Sequence, residues 1–248
     1  MPSIDQRNSD MNQPLNGQTA IITGGGSGIG YAISSALLAA GANLVITSRN
    51  GARLEQAAGQ LRQNGNAEVV AITADVRSRD DAQRVAGLTL ARFGRIDMLI
   101  NNSGLGVGDL AIDLSEENWD RVMDTCAKGT FLFSQAVLPA MQAQRRGVIL
   151  NIASQAALNG YANASVYCAA KFAVVGFAKA LQEEVRPYGI RVHSLCPGLV
   201  QVPPPATGEA PRPGWLQVED LAEQALFVLS RPPHVHLDSI GSWGLSFG

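Results

Sequence analysis

A chain of 248 residues, 46% hydrophobic and 16% charged, is long enough to bury one substantial core and has the balance of a globular protein, which excludes a disordered or fibrous chain. A net charge of −2, with no basic run beyond Arg145 and Arg146, predicts no nucleic-acid partner. No apolar run reaches the ~20 residues needed to cross a bilayer, and the polar first eighteen residues lack a signal-peptide core, so the expectation is a cytoplasmic protein with no membrane partner.

Residues 1–14 carry no periodic pattern and read as a flexible tail; residues 15–248 read as a single domain. Thr19 to Thr23 is a short β-rich apolar run, followed by a glycine loop and a helical stretch from Ile29 to Ala40 that Gly41 ends. The pattern repeats: a strand at Asn43 to Thr47, a helix at Ala52 to Asn64, a strand at Glu68 to Ile72, a helix at Ser78 to Phe93, a strand at Met98 to Ile100. Such alternation predicts an α/β domain of parallel strands with helical crossovers. Ser115 to Gln144 reads as one long helix that Pro139 kinks or ends. A fifth strand is predicted at Gly147 to Ile152, a helix at Ser165 to Arg186, and a sixth strand at Arg191 to Cys196, stopped by Pro197 and Gly198. Leu199 to Gln217 contains Pro203, Pro204, Pro205, Pro211 and Pro213, which predicts an extended rim in place of a hinged helical lid. Its one large ring, Trp215, either covers the pocket mouth or pins the segment to the core. A helix at Val218 to Ser230 and a last strand near Leu237 to Trp243 complete the chain.

Residues Thr23 to Gly30 read TGGGSGIG and fall between a strand and a helix. There, missing side chains let the backbone approach a pyrophosphate and the helix N-terminus favours its charge, so the loop predicts dinucleotide binding through Gly24, Ser27, Gly28, Ile29 and Gly30. At the end of the second strand Thr47-Ser48-Arg49-Asn50 has no carboxylate for ribose hydroxyls. Arg49, with Ser48, is placed to grip a 2′-phosphate instead, which favours NADP(H) and leaves NAD(H) possible.

Tyr167 and Lys171 are four apart, so on a helix they leave the same face one turn apart. A phenol ordinarily ionises near pH ~10, and a lysine ammonium nearby favours the phenolate. The same spacing also arises in helices as a packed ring beside a snorkelling amine. Ser154 lies just past the run GVILNIA, at the carboxyl end of a predicted strand, the edge where open α/β sheets bind ligands.

The glycine loop, Asn101-Asn102-Ser103-Gly104, Ser154, Tyr167 and Lys171, in that order, make the chain resemble the short-chain dehydrogenase/reductase family from about Gly17 to Gly198. The resemblance implies a Rossmann-like, doubly wound fold with a mostly seven-stranded parallel sheet and helices on both faces. It implies hydride transfer between nicotinamide and a ketone, aldehyde or secondary alcohol. Tyr167 would exchange the proton, Ser154 would hold the substrate oxygen, and Lys171 would support Tyr167 and bind the nicotinamide ribose. Asp75 and Val76 resemble the adenine-contacting pair, although Asp75 also suits a helix cap. Asn102, Gly104, Pro197 and Gly198 complete the expected cofactor contacts, and Asn101 is expected to brace the sheet edge.

Three departures stand out. Cys126 occupies a place where the family has an asparagine that helps hold a water, Val202 stands where relatives often have a nicotinamide-anchoring threonine, and Ser103 replaces an alanine. These leave two alternatives beside a carbonyl reductase: a reductase of 3-oxoacyl groups on a carrier protein, and a cofactor-binding homologue with weak catalysis. Cys126, Cys168 and Cys196 have no disulfide or metal spacing, and His193, His234 and His236 have no ligand partners in the sequence, so no metal is expected. The resemblance implies a homotetramer built on the long helix from Ser115 and the helix of Tyr167. An open pocket taking bulky or varied carbonyl compounds is the expectation for the substrate.

Overall fold

The computed structural model describes residues 13–202 and 212–245. Seven strands form one parallel sheet: β1 (Thr19–Thr23), β2 (Asn43–Ser48), β3 (Val69–Thr73), β4 (Met98–Asn101), β5 (Gly147–Ile152), β6 (Ile190–Pro197) and β9 (Ser239–Ser242). Their order across the sheet is β3-β2-β1-β4-β5-β6-β9, as expected of a doubly wound fold. The helices are α1 (Gly28–Ala39), α2 (Gly51–Gln63), α3 (Arg79–Phe93), α4 (Glu116–Met123), α5 (Gly129–Gln144), α6 (Ser165–Val185) and α7 (Val218–Leu229). Two short strands, β7 (Val200–Gln201) and β8 (Leu216–Gln217), pair with each other outside the main sheet.

Alternation along the strands divides the core in two. Ala20 and Ile22 of β1, Leu44 and Ile46 of β2, and Met98 and Ile100 of β4 face one cluster, built with α1, α2 and α7. Ile21, Val45 and Leu99, one residue out of step, face the other, built with α3, α5 and α6. Each fully buried Ile or Leu contributes about 1.5–3 kcal/mol over an exposed one, so a one-residue slip in register would forfeit both clusters at once.

Local signals set the helix ends. Asn50 accepts the Arg53 N–H at 3.0 Å, Ser78 the Asp81 N–H at 3.2 Å, and Ser115 the Asn118 N–H at 3.1 Å, each satisfying an otherwise orphaned donor. Gly94 closes α3 in the left-handed region at φ 71°.

The predicted long helix is broken, and not at Pro139. Asp124–Lys128 forms a π-helical turn between α4 and α5, while Pro139 lies within α5, which continues to Gln144. The physical reason lies partly in the next turn and partly in a distant strand exit. The Thr130 hydroxyl donates to the Cys126 carbonyl at 2.7 Å, and a side chain at Gly129 would begin 3.0 Å from Val76 Cγ2, so the helix swells where it passes the exit of β3. The last strand, Ser239–Ser242, is shorter than the expected Leu237 to Trp243, and His234 and His236 lie in the loop before it. Ser78, not Asp75, caps α3. The expected tail falls mainly on residues 1–12, outside the described residues, whereas Leu15 is already buried and donates its N–H to Ala40. The proline-rich interior, 203–211, is likewise outside the described residues; its flanks are the extended β7 and β8.

His193 in β6 is fully buried, its Nδ1 2.7 Å from the Leu237 carbonyl, and its ring stacks on His236 at 5.2 Å. Burial, with nearby Arg191, pushes it from 6.5 down to about 4. The unfolded chain therefore binds a proton that the native state refuses, and stability present above pH 6.5 is lost as the pH falls towards 4. We predict a loss of about 3 kcal/mol across that window from this residue. Urea melts from pH 7 to 4 should fall more steeply for the native protein than for His193→Gln.

Candidate active site

The strand order reverses between β1 and β4, and the crevice at their carboxyl ends receives the glycine loop from one side and Asn102 to Gly104 from the other. Thr23 ties the two together. Its Oγ1 accepts the N–H of Asn102 and of Ser103, each at 3.0 Å, while Asn102 Nδ2 donates to the Thr23 carbonyl at 3.0 Å and the Gly24 carbonyl at 3.3 Å. Gly24 holds φ 66° and Gly28 φ 54°. A Cβ at Gly30 would sit 2.3 Å from the Gly24 carbonyl oxygen and 2.5 Å from Asn102 Nδ2, so no larger residue fits the clamp. Ser27 caps α1 without a side-chain hydrogen bond, and the first turn of α1 has no acidic residue. That helix end presents free N–H groups and no opposing charge, which suits a pyrophosphate.

Ser154, Tyr167 and Lys171 line one cleft of about 460 Å³ together with Ile29, Asn102 and Gly198. Ser154 sits where β5 gives way to a short 3₁₀ turn, and its Oγ accepts the Ala156 N–H at 3.1 Å. Its own hydroxyl proton remains available to the cleft. Lys171 is buried; its Nζ donates to the Ile152 carbonyl at 2.8 Å and lies 5.6 Å from the centre of the Tyr167 ring. One of its three N–H groups is thus fixed to β5, which holds the ammonium beside the tyrosine. Asn101 braces the sheet edge from below: its Nδ2 donates to Ser134 at 3.1 Å and to Asn151 at 2.9 Å.

A second groove, about 240 Å³, continues from this cleft past Gly24, Ser27, Ser48, Arg49 and Val76. Arg49 is exposed at the end of β2. Asp75 stands apart from the groove lining. Arg77 binds its carboxylate with Nε at 3.0 Å to both oxygens and Nη2 at 2.6 Å, and that pairing holds Asp75 below its ordinary value. Val76, Gly104, Pro197 and Gly198 all lie on the two grooves.

The departures acquire a geometry. Cys126 is buried, and its Sγ lies 3.4 Å from both the N–H and the carbonyl of Leu105, so the thiol accepts from one and donates to the other. Val202 Cγ1 would be 3.1 Å from a Cβ at Gly28, which puts this valine over the glycine loop. Trp215 is half-buried under the Arg212 guanidinium at 4.8 Å and does not line the cleft, in keeping with a pinning role. Trp243 instead lies against Gly198, its Cε3 3.1 Å from where a Cβ would be. Sequence reasoning missed Leu105, Gly106, Leu199 and Val200 in the cleft wall. The only signal was glycine spacing after Gly104, and Gly106 is needed there because a Cβ would meet the Tyr167 ring at 3.3 Å. Cys196 is buried and its thiol is pushed up by that burial. Among the described residues no three His, Cys, Asp or Glu side chains gather as a metal site, and no helix is long and apolar enough to cross a membrane.

The short chain dehydrogenase profile matches residues 18–210. An uncharacterised oxidoreductase of Staphylococcus saprophyticus is 32% identical over 226 residues, 91% of this chain and 97% of that protein. An alcohol dehydrogenase from the archaeon Thermococcus sibiricus, solved with 5-hydroxy-NADP, superposes with TM-score 0.83 at 27% identity, covering 92% of this chain and 97% of its own. An actinorhodin polyketide ketoreductase variant, solved with NADPH, gives TM-score 0.84 at 30% identity over 92% and 96% of the two chains. With this match spanning the glycine loop, the strand ends and the helix of Tyr167 and Lys171, the chain belongs to the short-chain dehydrogenase/reductase family and is an oxidoreductase of that family.

Proposed function

We propose that this protein is an NADP(H)-dependent oxidoreductase acting on a ketone or aldehyde, or in reverse on a secondary alcohol. The observation that carries the reading is the single cleft that gathers Ser154, Tyr167 and Lys171 beside the glycine loop. NADP(H) is favoured over NAD(H) because Arg49, and no carboxylate, stands at the end of β2 on the groove that continues from the cleft. Three of the similar structures are solved with an NADP-type cofactor, which supports that choice.

Gly24, Ser27, Gly28, Ile29 and Gly30 would hold the pyrophosphate, Ser48 and Arg49 the ribose phosphate, and Val76, Asn102, Gly104, Pro197 and Gly198 the rest of the dinucleotide. Asp75 would contribute through the Arg77-held turn that places Val76. When bound, the nicotinamide supplies or takes the hydride. Ser154 would donate a hydrogen bond to the substrate oxygen without giving up its proton, and Tyr167 would give that oxygen its one proton in reduction or accept it in oxidation. Lys171, tethered to Ile152, stabilises the negative charge left on the tyrosine oxygen and reaches the ribose with its remaining N–H groups. Leu110, Ile112, Leu158, Tyr161, Leu199, Val202, Trp243 and Leu245 are exposed on loops that leave the same sheet edge. That apolar rim suits bulky carbonyl compounds, and the three buried free cysteines suit a cytoplasmic setting.

We also propose self-association, as a tetramer. Helices α4, α5 and α6 pack on one another and expose Trp119, Phe131 and Phe172, an apolar outlay that a lone chain does not use. Light scattering should give four times the chain mass, and Phe172→Asp should reduce it.

Purified protein assayed with NADPH and a panel of ketones, aldehydes and a 3-oxoacyl thioester should turn over ketones or aldehydes; tight NADPH binding without turnover would point to the cofactor-binding homologue. Tyr167→Phe should lower kcat by about 10²–10⁴-fold and leave NADPH affinity unchanged. Lys171→Ala should damage both. For Arg49→Asp, the ratio of NADPH to NADH affinity should fall by about tenfold or more, the worth of one charge-assisted hydrogen bond.

A further inference from the structure

The opposite end of the sheet, where β5 and β6 begin, has a pocket of its own, about 350 Å³, whose walls include Gln18, Asp97, Arg146, Arg191, Ser230 and Arg231. None of these residues lines the cleft of Tyr167. Its charges do not balance. Among the described lining residues Asp97 is the one carboxylate, and it is already saturated: Arg95 binds it through Nε and Nη2 at 2.7 Å each, Arg146 at 3.0 Å, and the Thr19 N–H at 2.9 Å.

Arg191 is the residue left unanswered. It is only 8% exposed, and among the described residues it forms no ion pair; its Nη1 donates to the neutral Val235 carbonyl at 3.0 Å. A guanidinium carries five N–H donors and keeps its charge, so one carbonyl leaves four of them for water or a ligand. Burial pushes its pKa below the ordinary value, the direction expected of a desolvated cation. A buried charge without a partner is costly, and the native fold keeps this one against a cavity wall. Arg231 adds a third guanidinium, steadied by its Nε donating to Phe227 at 2.9 Å. The carboxyl end of α7 also meets the pocket and opposes an anion with about half a negative charge. Three arginines against one carboxylate outweigh it.

We infer that this pocket is an oxyanion site, suited to the phosphate group of a small molecule. A phosphate monoester carries about −1.5 to −2 at neutral pH, close to the surplus of two positive charges, and planar guanidinium forks match its oxygens. The volume exceeds what phosphate alone fills, which leaves space for an attached group. Because the site sits away from the cleft, its occupant acts on the fold and not on the reacting atoms.

The test is thermal denaturation of the full chain titrated with inorganic phosphate and, separately, with glycerol 3-phosphate, at ionic strength held constant with chloride. Each titration is repeated in Arg49→Ser, which removes the basic residue of the other groove. The expected result is a saturable rise in Tm in both backgrounds, with a larger response to the monoester if the attached group is bound. In Arg191→Met the apparent affinity should weaken at least tenfold while Tm in chloride alone is unchanged or higher, since a buried unpaired charge is gone. Arg231→Gln, on the rim, should weaken it several-fold and guards against misfolding of the first variant. An equal phosphate response in native protein, Arg191→Met and Arg231→Gln, or no saturable response to either probe, would overturn the proposal.

Discussion

The clamp between Thr23 and Asn102 is the contact on which the rest of the site depends. Two strands that are neighbours in the sheet but far apart in sequence end together, and their loops diverge to opposite faces. Without a tie the crevice would open by whatever the loops allowed. Thr23 Oγ1 accepts two backbone N–H groups from the β4 exit, and Asn102 returns two hydrogen bonds to the β1 exit, so four polar groups are satisfied by one reciprocal pair. Buried hydrogen bonds of this kind each contribute about 0.5–1.5 kcal/mol net, but the cost of leaving one partner unsatisfied is larger. The glycines then follow: Gly24 and Gly30 are bare because the clamp closes on them.

The catalytic side is held by the same economy of positions. Lys171 spends one N–H on the Ile152 carbonyl, Ser154 spends an acceptor lone pair on the Ala156 N–H, and Asn101 locks onto Asn151 and Ser134 beneath them. Ser154 and Asn101 thus come from a strand end or the first turn after it, and Lys171, carried by α6, is tied to a strand end through Ile152, so the rigid sheet sets the position of all three. Tyr167 arrives from a helix, one turn before Lys171, and Gly106 makes room for its ring.

Most of this was legible in the sequence because it is periodic or local. Strand alternation and the four-residue spacing of Tyr167 and Lys171 both act within a few residues of themselves. What was misread depends on partners far along the chain. The π turn at Asp124–Lys128 answers to Val76 and Leu105, neither visible from its own pattern, whereas Pro139 drew notice by type and proved to lie inside a continuing helix. The cap of α3 was read by position as open to Asp75, whereas Ser78 supplies it and Asp75 pairs with Arg77, two residues on. Arg191 left no trace in the sequence, because its isolation arises from what Asp97 does with Arg95 and Arg146.

Cys126 shows how a substitution can keep a role while weakening it. An amide side chain at this place offers both a donor and an acceptor, and the thiol still offers one of each, spent on the Leu105 N–H and carbonyl. The loop from Asn102 to Leu105 therefore stays fastened to the helix, with sulfur contacts in place of stronger nitrogen and oxygen ones. The backbone carbonyl of Cys126 accepts the Thr130 hydroxyl at 2.7 Å within the π turn, which occupies part of its accepting capacity. The departure consequently falls on the stiffness of the loop from Asn102 to Leu105, while Ser154, Tyr167 and Lys171 still line one cleft.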